Sequence, residues 1–216
     1  MSCRVEPLPA AGAGRAWLHH PATPGDGLAL FHGAGSTADS PLLTAVAEAL
    51  CEAGIAVLRC DLPFRAERAK GPPRPGDAAR DREGIRIAAE ALRPRLAGRL
   101  FLGGHSYGGR QATLLASAQP GLADGLLLLS YPLHPPGKPQ QLRTQHFPAL
   151  RAPALFVHGS RDPFGAPEEM REAVGLIPAP AELILLDGLG HDLLQNRKPA
   201  AARRIAAEFL RFGGAL

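Results

Sequence analysis

The chain has 216 residues, of which 45% are hydrophobic and 20% are charged. This length and composition allow a sizeable core within one domain, predicted to span residues 1–216, and exclude a disordered chain. The formal net charge is +4, but the basic residues form no dense cluster, so nucleic acid is not expected as a partner. No apolar run reaches 18 residues, so no membrane association is expected.

The cysteines bear on the compartment of the protein. Cys3, Cys51 and Cys60 lack the spacing of a metal site, and three cysteines cannot all pair with one another. Such cysteine usage is typical of a reducing compartment. The first seven residues contain no apolar core of a signal peptide. We therefore expect a cytoplasmic protein without a metal site.

Short apolar segments alternate with segments of helical periodicity along most of the chain. This alternation predicts parallel strands joined by crossover helices. The candidate strands are residues 28–31, 55–58, 100–102, 125–129, 154–157 and 183–186. The candidate helices are residues 40–54, 77–93, 107–119, 168–174 and 199–212. Because the strands are almost continuously hydrophobic, we expect helices on both faces of the sheet.

Two proline-rich segments interrupt this pattern, at residues 68–76 and 131–150. A loop of about twenty residues is uncommon inside a compact domain, and such loops are often functional. We call residues 131–150 the prolyl segment. It is assigned to the same domain, and we expect it to cross the mouth of an active site.

A glycine-rich turn around Ser106 separates a candidate strand from a candidate helix. Its sequence, GGHSYGG, contains the G-x-S-x-G pattern, in which a serine is presented on a sharp turn. Gly104 and Gly108 lack the Cβ atoms that would clash in such a turn. The amides at the start of the following helix favour negative charge beside the serine. A phosphate-binding loop fits this sequence less well than a serine turn does, because the Gly-Lys-Ser/Thr and G-x-G-x-x-G patterns are missing here.

A serine hydroxyl becomes a good nucleophile when a base removes its proton and an acid orients that base. Asp162 and His191 follow two late strand candidates, in the order Ser, Asp, His that is known for such turns. The other histidines precede the acid in the chain, and His158 is expected to position the acid loop. Asp187 and Asp192 remain alternatives to Asp162 as the acid.

The segment His32-Gly33-Ala34-Gly35 follows the first strong strand candidate. Small residues allow the backbone to approach a substrate closely. We expect the amides of Ala34 and Tyr107 to form an oxyanion hole, which stabilises the negative charge that develops during acyl transfer. The alternative is an ordinary glycine turn.

Further motifs are more distinctive than the serine turn. Residues 130–139 read SYPLHPPGKP and residues 142–144 read LRT, while LR at 58–59 and DLPFR at 61–65 follow the second strand candidate. With these motifs the chain resembles the α/β-hydrolase superfamily over nearly its whole length. It is most similar to small predicted hydrolases related to dienelactone hydrolase, a group that shares its domain with a human testis-expressed protein and a histone-acetyltransferase-complex subunit.

The resemblance implies an α/β-hydrolase fold, with a mostly parallel twisted sheet, helices on both faces, and no lid or a short one. It also implies a serine hydrolase with Ser106, Asp162 and His191 as the triad, a small acyl substrate and no cofactor. Carboxylesterase, thioesterase, peptidase and dienelactone-hydrolase-like activities stay open. Many relatives carry methionine where Tyr107 stands here, so this side chain is expected to shape the pocket.

The prolyl segment suggests a hypothesis about the substrate. We expect Tyr131, His134, Lys138 and Arg143 to bind a carboxylate or phosphate of the substrate, the alternative being a solvated loop made rigid by prolines. Because some members of the resembling group serve in protein assemblies, a catalytically idle domain that binds a partner protein is the second hypothesis. A homodimer formed through an exposed edge strand also stays open.

Overall fold

The computed structural model describes residues 3–8, 14–23, 25–194 and 199–216. The strands are Arg4–Pro7 (β1), Ala16–His20 (β2), Gly27–Phe31 (β3), Ala56–Cys60 (β4), Leu100–His105 (β5), Gly125–Leu129 (β6), Ala154–Gly159 (β7) and Ala181–Leu186 (β8). The α-helices are Pro41–Glu52 (α1), Pro63–Glu67 (α2), Asp77–Leu92 (α3), Tyr107–Ala118 (α4), Pro167–Val174 (α5) and Pro199–Gly214 (α6). Short 3₁₀ helices cover Arg93–Arg95 and Phe147–Ala149.

The strands form one sheet in the order β1-β2-β4-β3-β5-β6-β7-β8. The neighbours from β4 to β8 are parallel, whereas β2 pairs antiparallel with both β1 and β4. The predicted α/β class, with a mostly parallel sheet and helices on both faces, is confirmed. The six predicted strands are present, but the edge strand β1 and its neighbour β2 were missed, because neither contains an apolar run longer than three residues.

Hydrophobic layers cover both faces of the sheet, and they explain the continuous apolar character of its central strands. Helices α1 and α6 bury one layer, where the rings of Phe101 and Phe209 meet edge to face at 4.9 Å. Helices α3, α4 and α5 bury the other layer, which includes Ile85, Leu115 and Met170. A strand buried on both faces has no polar side to alternate with its apolar side.

The prolyl segment is tied to the core by its aromatic side chains. Tyr131 is only 1% exposed, and its ring lies 5.3 Å from that of Phe147 and 5.8 Å from that of Phe156. The Tyr131 hydroxyl donates to the carbonyl oxygen of Arg143 at 2.7 Å, which closes the segment on itself. The segment is therefore packed on the sheet rather than extended into solvent.

Cys3 and Cys51 form a disulfide, with Cα atoms 5.8 Å apart. Cys3 directly precedes β1, and the antiparallel pairing of the N-terminal strands brings it to the last turn of α1. Cys60 keeps its thiol and is buried in β4. Because disulfides are uncommon in a reducing compartment, the cysteines no longer support the predicted cytoplasmic location, which stays a prediction. Among the described residues, no helix is both long and apolar enough to cross a membrane.

Candidate active site

Ser106 lies at the sharp turn between β5 and α4. Its backbone has φ 52° and ψ −115°, a conformation that residues with a Cβ atom rarely adopt and that often marks a functional site. The Ser106 amide donates to the carbonyl oxygen of Leu129 at 2.9 Å, which ties the turn to strand β6. The strained turn therefore holds the Ser106 side chain at the edge of the sheet.

Gly104 and Gly108 make this turn possible by their lack of side chains. A Cβ atom on Gly104 would lie 2.5 Å from the Gly109 nitrogen, and one on Gly108 would lie 2.7 Å from the His32 carbonyl oxygen. Both distances are too short for any side chain. The glycine pattern in the sequence thus reflects close backbone contacts among β3, β5 and α4.

The structure brings the three predicted triad residues together. His191 Nε2 lies 2.8 Å from Ser106 Oγ, and His191 Nδ1 lies 2.8 Å from Asp162 Oδ2. Because an ionised carboxylate only accepts hydrogen bonds, Nδ1 donates to Asp162 and Nε2 is left to accept the serine proton. This arrangement suits a base that activates a serine.

Asp162 is held as a buried carboxylate. Its side chain has no exposed surface. Burial raises the pKa of Asp162, but the hydrogen bond and charge of His191, together with the Phe164 amide at 2.9 Å, bring that pKa below its ordinary value. His158 lies behind the carboxylate, where its Nε2 bonds the Gly165 carbonyl oxygen at 2.9 Å. Asp162 therefore remains charged and oriented toward His191.

The alternative acids make other contacts. Asp187 accepts a hydrogen bond from the Ser160 hydroxyl at 3.0 Å, and Asp192 accepts one from the Leu194 amide at 3.0 Å. Both carboxylates thus stabilise local turns. The loop that carries Asp162 and the loop that carries His191 contact each other closely at Gly159, where a Cβ atom would lie 2.4 Å from the Leu189 carbonyl oxygen.

Two rings flank the imidazole of His191. The ring of Phe164 lies 4.3 Å from it and that of His105 lies 4.9 Å from it. Burial lowers the pKa of His105 to about 4, so this ring is neutral at pH 7 and its Nε2 donates to the His191 carbonyl oxygen at 2.9 Å. On sequence grounds His105 is set aside with the other histidines that precede the acid, and the only signal for its role is its position beside Ser106.

The predicted oxyanion amides both border the same cavity. Residues 33–36, called the oxyanion loop, form a turn closed by a hydrogen bond from the Ser36 amide to the Gly33 carbonyl oxygen at 3.1 Å. Ala34 from this loop and Tyr107 from α4 line the cavity together with Ser106. The two segments thus place their backbones next to the nucleophile.

Arg65 supports the oxyanion loop from behind, a role that the sequence did not indicate. Its buried guanidinium donates to the carbonyl oxygens of Ser36 at 2.9 Å and Ala34 at 2.7 Å. His32 adds a contact to the Gly33 carbonyl oxygen at 2.8 Å. Because Arg65 and His32 hold the loop through its carbonyl oxygens, this support does not depend on the Ala34 amide, the first predicted oxyanion donor.

Tyr107 is anchored by a buried carboxylate. Its hydroxyl donates to Asp81 Oδ2 at 2.7 Å, and the other oxygen of Asp81 accepts from the Phe64 amide at 3.0 Å. Burial raises the pKa of Asp81 above its ordinary value. This anchor fixes the first residue of α4, whose amide is the second predicted oxyanion donor.

The cavity in front of Ser106 has a volume of about 620 Å³, a size that suits a small molecule. Pro72 and Pro73 form part of its wall, and Pro132 and Arg143 from the prolyl segment form another part. Both proline-rich segments therefore border the candidate site. Among the described residues, no cluster of histidine, cysteine and acidic side chains is arranged to hold a metal ion.

Of the four predicted substrate contacts, only Arg143 lies at this cavity. Tyr131 is buried in the core, and His134 is buried against Glu169, with Nε2 and Oε2 3.2 Å apart. Lys138 is exposed and lies outside the cavity lining. The structure does not bring these three side chains to the site, because Tyr131 and His134 turn inward and Lys138 lies in an exposed turn. Arg110, which sequence reasoning missed, does line the cavity.

The fold and this site define the class of the protein as an α/β hydrolase. The sequence matches the family described as an alpha/beta hydrolase domain over residues 26–207, and the chain belongs to that family. The predicted α/β-hydrolase fold and the predicted resemblance are thereby confirmed. Family membership supports hydrolase activity.

Solved structures show the same fold along nearly the whole chain. TT1662 from Thermus thermophilus is 24% identical, with a TM-score of 0.77 and 98% coverage of both chains. Dienelactone hydrolase from Anabaena variabilis is 20% identical, with a TM-score of 0.77 and coverage of 98% of this chain and 97% of the other. The esterase domain of a Rhodothermus marinus protein is 19% identical, with a TM-score of 0.69 and coverage of 98% and 99%.

Proposed function

We propose that this protein is a serine hydrolase that cleaves an ester or related acyl bond of a small substrate through an acyl-enzyme. The observation that carries the proposal is the continuous contact from Ser106 Oγ to His191 Nε2 and from His191 Nδ1 to Asp162, each at 2.8 Å. Carboxylesterase, thioesterase and dienelactone-hydrolase-like reactions all use this chemistry.

The first half of the reaction acylates the serine. Ser106 Oγ attacks the carbonyl carbon of the substrate while His191 Nε2 takes the hydroxyl proton, and Asp162 stabilises the imidazolium that forms. The amides of Ala34 and Tyr107 donate to the oxyanion of the tetrahedral intermediate. When that intermediate collapses, His191 returns the proton to the leaving group, which departs as an alcohol or thiol.

The second half releases the acid. A water molecule gives a proton to His191 Nε2 and attacks the acyl carbon, and the Ser106 oxygen then leaves with that proton. The products are a carboxylic acid and the regenerated enzyme. The proposed steps need no cofactor, because the protein side chains and one water molecule supply every proton transfer.

Labelling with a fluorophosphonate probe tests this proposal, because such probes phosphonylate activated serines. We expect the wild-type protein to be labelled at Ser106, with no labelling after Ser106→Ala and strongly slowed labelling after His191→Gln. Ser160→Ala, which changes a serine outside the triad, is the matched control and should label normally. A folded wild-type protein that is not labelled would contradict the proposal and favour the partner-binding alternative.

A further inference from the structure

Two arginine side chains line the cavity in front of Ser106. Arg110 lies one helical turn after the nucleophile on α4, and its amide donates to the Ser106 carbonyl oxygen at 3.0 Å. Arg143 reaches the same cavity from the prolyl segment. No aspartate or glutamate is among the described residues that line this cavity. The catalytic serine thus faces a space with two fixed positive charges.

Neither arginine has a carboxylate partner in the part of the chain that the structure describes. Ion pairs with aspartate or glutamate engage Arg15, Arg68, Arg80, Arg86, Arg99 and Arg211. The Nε atom of Arg110 is buried and has no hydrogen-bond partner. Arg143 makes one long contact, from Nη1 to the Pro132 carbonyl oxygen at 3.3 Å. Both residues therefore line the cavity without a carboxylate partner among the described residues.

This arrangement is unfavourable for the protein alone. Arg110 places a cation in the first turn of α4, where the helix dipole favours an anion. Burial and the nearby charge of Arg110 both lower the pKa of Arg143. A buried donor without a partner adds a further cost. An anion held by the two guanidinium groups would offset the repulsion between them and the unfavourable position of Arg110 in the helix dipole, since guanidinium groups bind carboxylates and phosphates through paired hydrogen bonds.

We propose that Arg110 and Arg143 form an anion subsite, and that the natural substrate carries a carboxylate or a similar anionic group beside its scissile acyl bond. This inference rests on the proposed function, because it places the subsite in the cavity of the proposed hydrolase. The four-residue step from Ser106 to Arg110 spans roughly 6 Å of helix. Because both arginines line the cavity that contains Ser106, we expect the anionic group and the scissile carbonyl to belong to one small bound molecule.

Matched ester pairs test the inference. The first pair places the charge on the acyl side, with 4-nitrophenyl hydrogen glutarate against its methyl ester. The second pair places the charge on the leaving group, with 4-acetoxybenzoate against methyl 4-acetoxybenzoate. We expect the wild-type protein to prefer the anionic member of one pair by about tenfold or more in kcat/KM, and we expect salt to reduce this preference.

Single substitutions assign the preference to the two arginines. Arg110→Gln and Arg143→Gln should each lower kcat/KM by about tenfold for the anionic ester and by less than about twofold for the neutral ester. Arg151→Gln removes the same charge from an exposed position outside the cavity lining, and it should change neither value. Fluorophosphonate labelling of each variant checks that its triad is intact.

The results separate this inference from the proposed function. Suppose that neutral esters are hydrolysed. The anion subsite is then wrong, while the hydrolase stands, if neither pair shows a preference for the anionic ester or if the arginine substitutions lower kcat/KM equally for both members of a pair. If no ester is hydrolysed and Ser106 is not labelled, the hydrolase is wrong. Calorimetric titration with glutarate then decides about the subsite. Binding lost in both arginine variants would support it, and no binding to the wild-type protein would overturn it.

Discussion

The turn at Ser106 and the prolyl segment border the same cavity, but different interactions hold them in place. The turn is shaped by backbone contacts, with Gly104 and Gly108 pressed against neighbouring main-chain atoms. The prolyl segment is held by side chains, chiefly the buried Tyr131 ring and its hydrogen bond to the Arg143 carbonyl oxygen. We infer that the turn carries the chemical step and that the segment shapes what enters the cavity.

The strongest test of this division is Ser106→Ala. We expect kcat/KM to fall by roughly 10⁴-fold or more, because the covalent route is lost. The free energy of unfolding should not decrease, since the substitution keeps the Cβ atom and removes only the hydroxyl. Steady-state kinetics with 4-nitrophenyl acetate and urea unfolding measure the two quantities. A decrease of less than tenfold in kcat/KM would show that Ser106 is not the nucleophile.

The next largest effect is expected for Asp162→Asn. An asparagine cannot stabilise the imidazolium and favours the wrong tautomer of His191, so kcat should fall by roughly 10³- to 10⁴-fold. Asp187→Asn is the matched control, because Asp187 accepts a hydrogen bond from the Ser160 hydroxyl, whose oxygen in turn accepts one from the Gly188 amide. Its kcat should change by less than about threefold. The reverse order of effects would assign the acid to Asp187.

Arg65 allows a test of how the oxyanion loop is positioned. Arg65→Lys keeps the charge but cannot hold the Ala34 and Ser36 carbonyl groups at once. We expect kcat to fall by about tenfold with KM changed by less than about threefold, because oxyanion contacts act mainly in the transition state. Arg68→Lys, whose side chain pairs with Asp77 instead, serves as the control. Equal losses in both variants would indicate a general structural effect.

One half-buried histidine in each region makes stability depend on pH. Burial lowers the pKa of His105, beside the turn, and of His146, in the prolyl segment, to about 4 from 6.5. The unfolded chain therefore binds more protons than the folded chain between about pH 4 and 6.5, and the free energy of unfolding should rise with pH across that window. Urea unfolding should show a shallower rise for His146→Gln. An unchanged slope would contradict a neutral, half-buried His146.

The two tyrosines give the smallest expected effects and compare the regions directly. Tyr107→Phe leaves the buried Asp81 without its hydroxyl donor, so the free energy of unfolding should fall by about 2 kcal/mol. Tyr131→Phe leaves only the carbonyl oxygen of Arg143 without its donor and should cost about 1 kcal/mol, with kcat within about twofold of the wild type. Urea unfolding checks this order, and the opposite order would contradict it.

These regions also differ in how far the sequence could predict them. The turn at Ser106 needs glycines at fixed spacing, and the strands beside it need continuous apolar residues, so both were visible in the sequence. The order of Ser106, Asp162 and His191 followed from strand positions. Local chemistry and periodicity were sufficient for the α/β class and for proposing the triad, and the family resemblance supplied the α/β-hydrolase fold.

Features that depend on long-range packing were not predictable in the same way. The prolyl segment turns Tyr131 inward because Phe147 and Phe156 offer it an aromatic surface, and no local pattern specifies that direction. Arg110 on α4 faces the cavity because of how the helix packs against the sheet. The Cys3–Cys51 disulfide depends on antiparallel strands that the apolar pattern did not show.

Mass spectrometry of the protein quenched during ester hydrolysis tests the central claim most directly. With 4-nitrophenyl acetate in excess, we predict one acetyl group per chain, located on Ser106 and formed in a burst of 4-nitrophenol release. His191→Gln should greatly slow the appearance of this adduct. Hydrolysis without any modification of Ser106 would contradict the account. So would an acetyl adduct on another residue that forms as fast as the ester is hydrolysed.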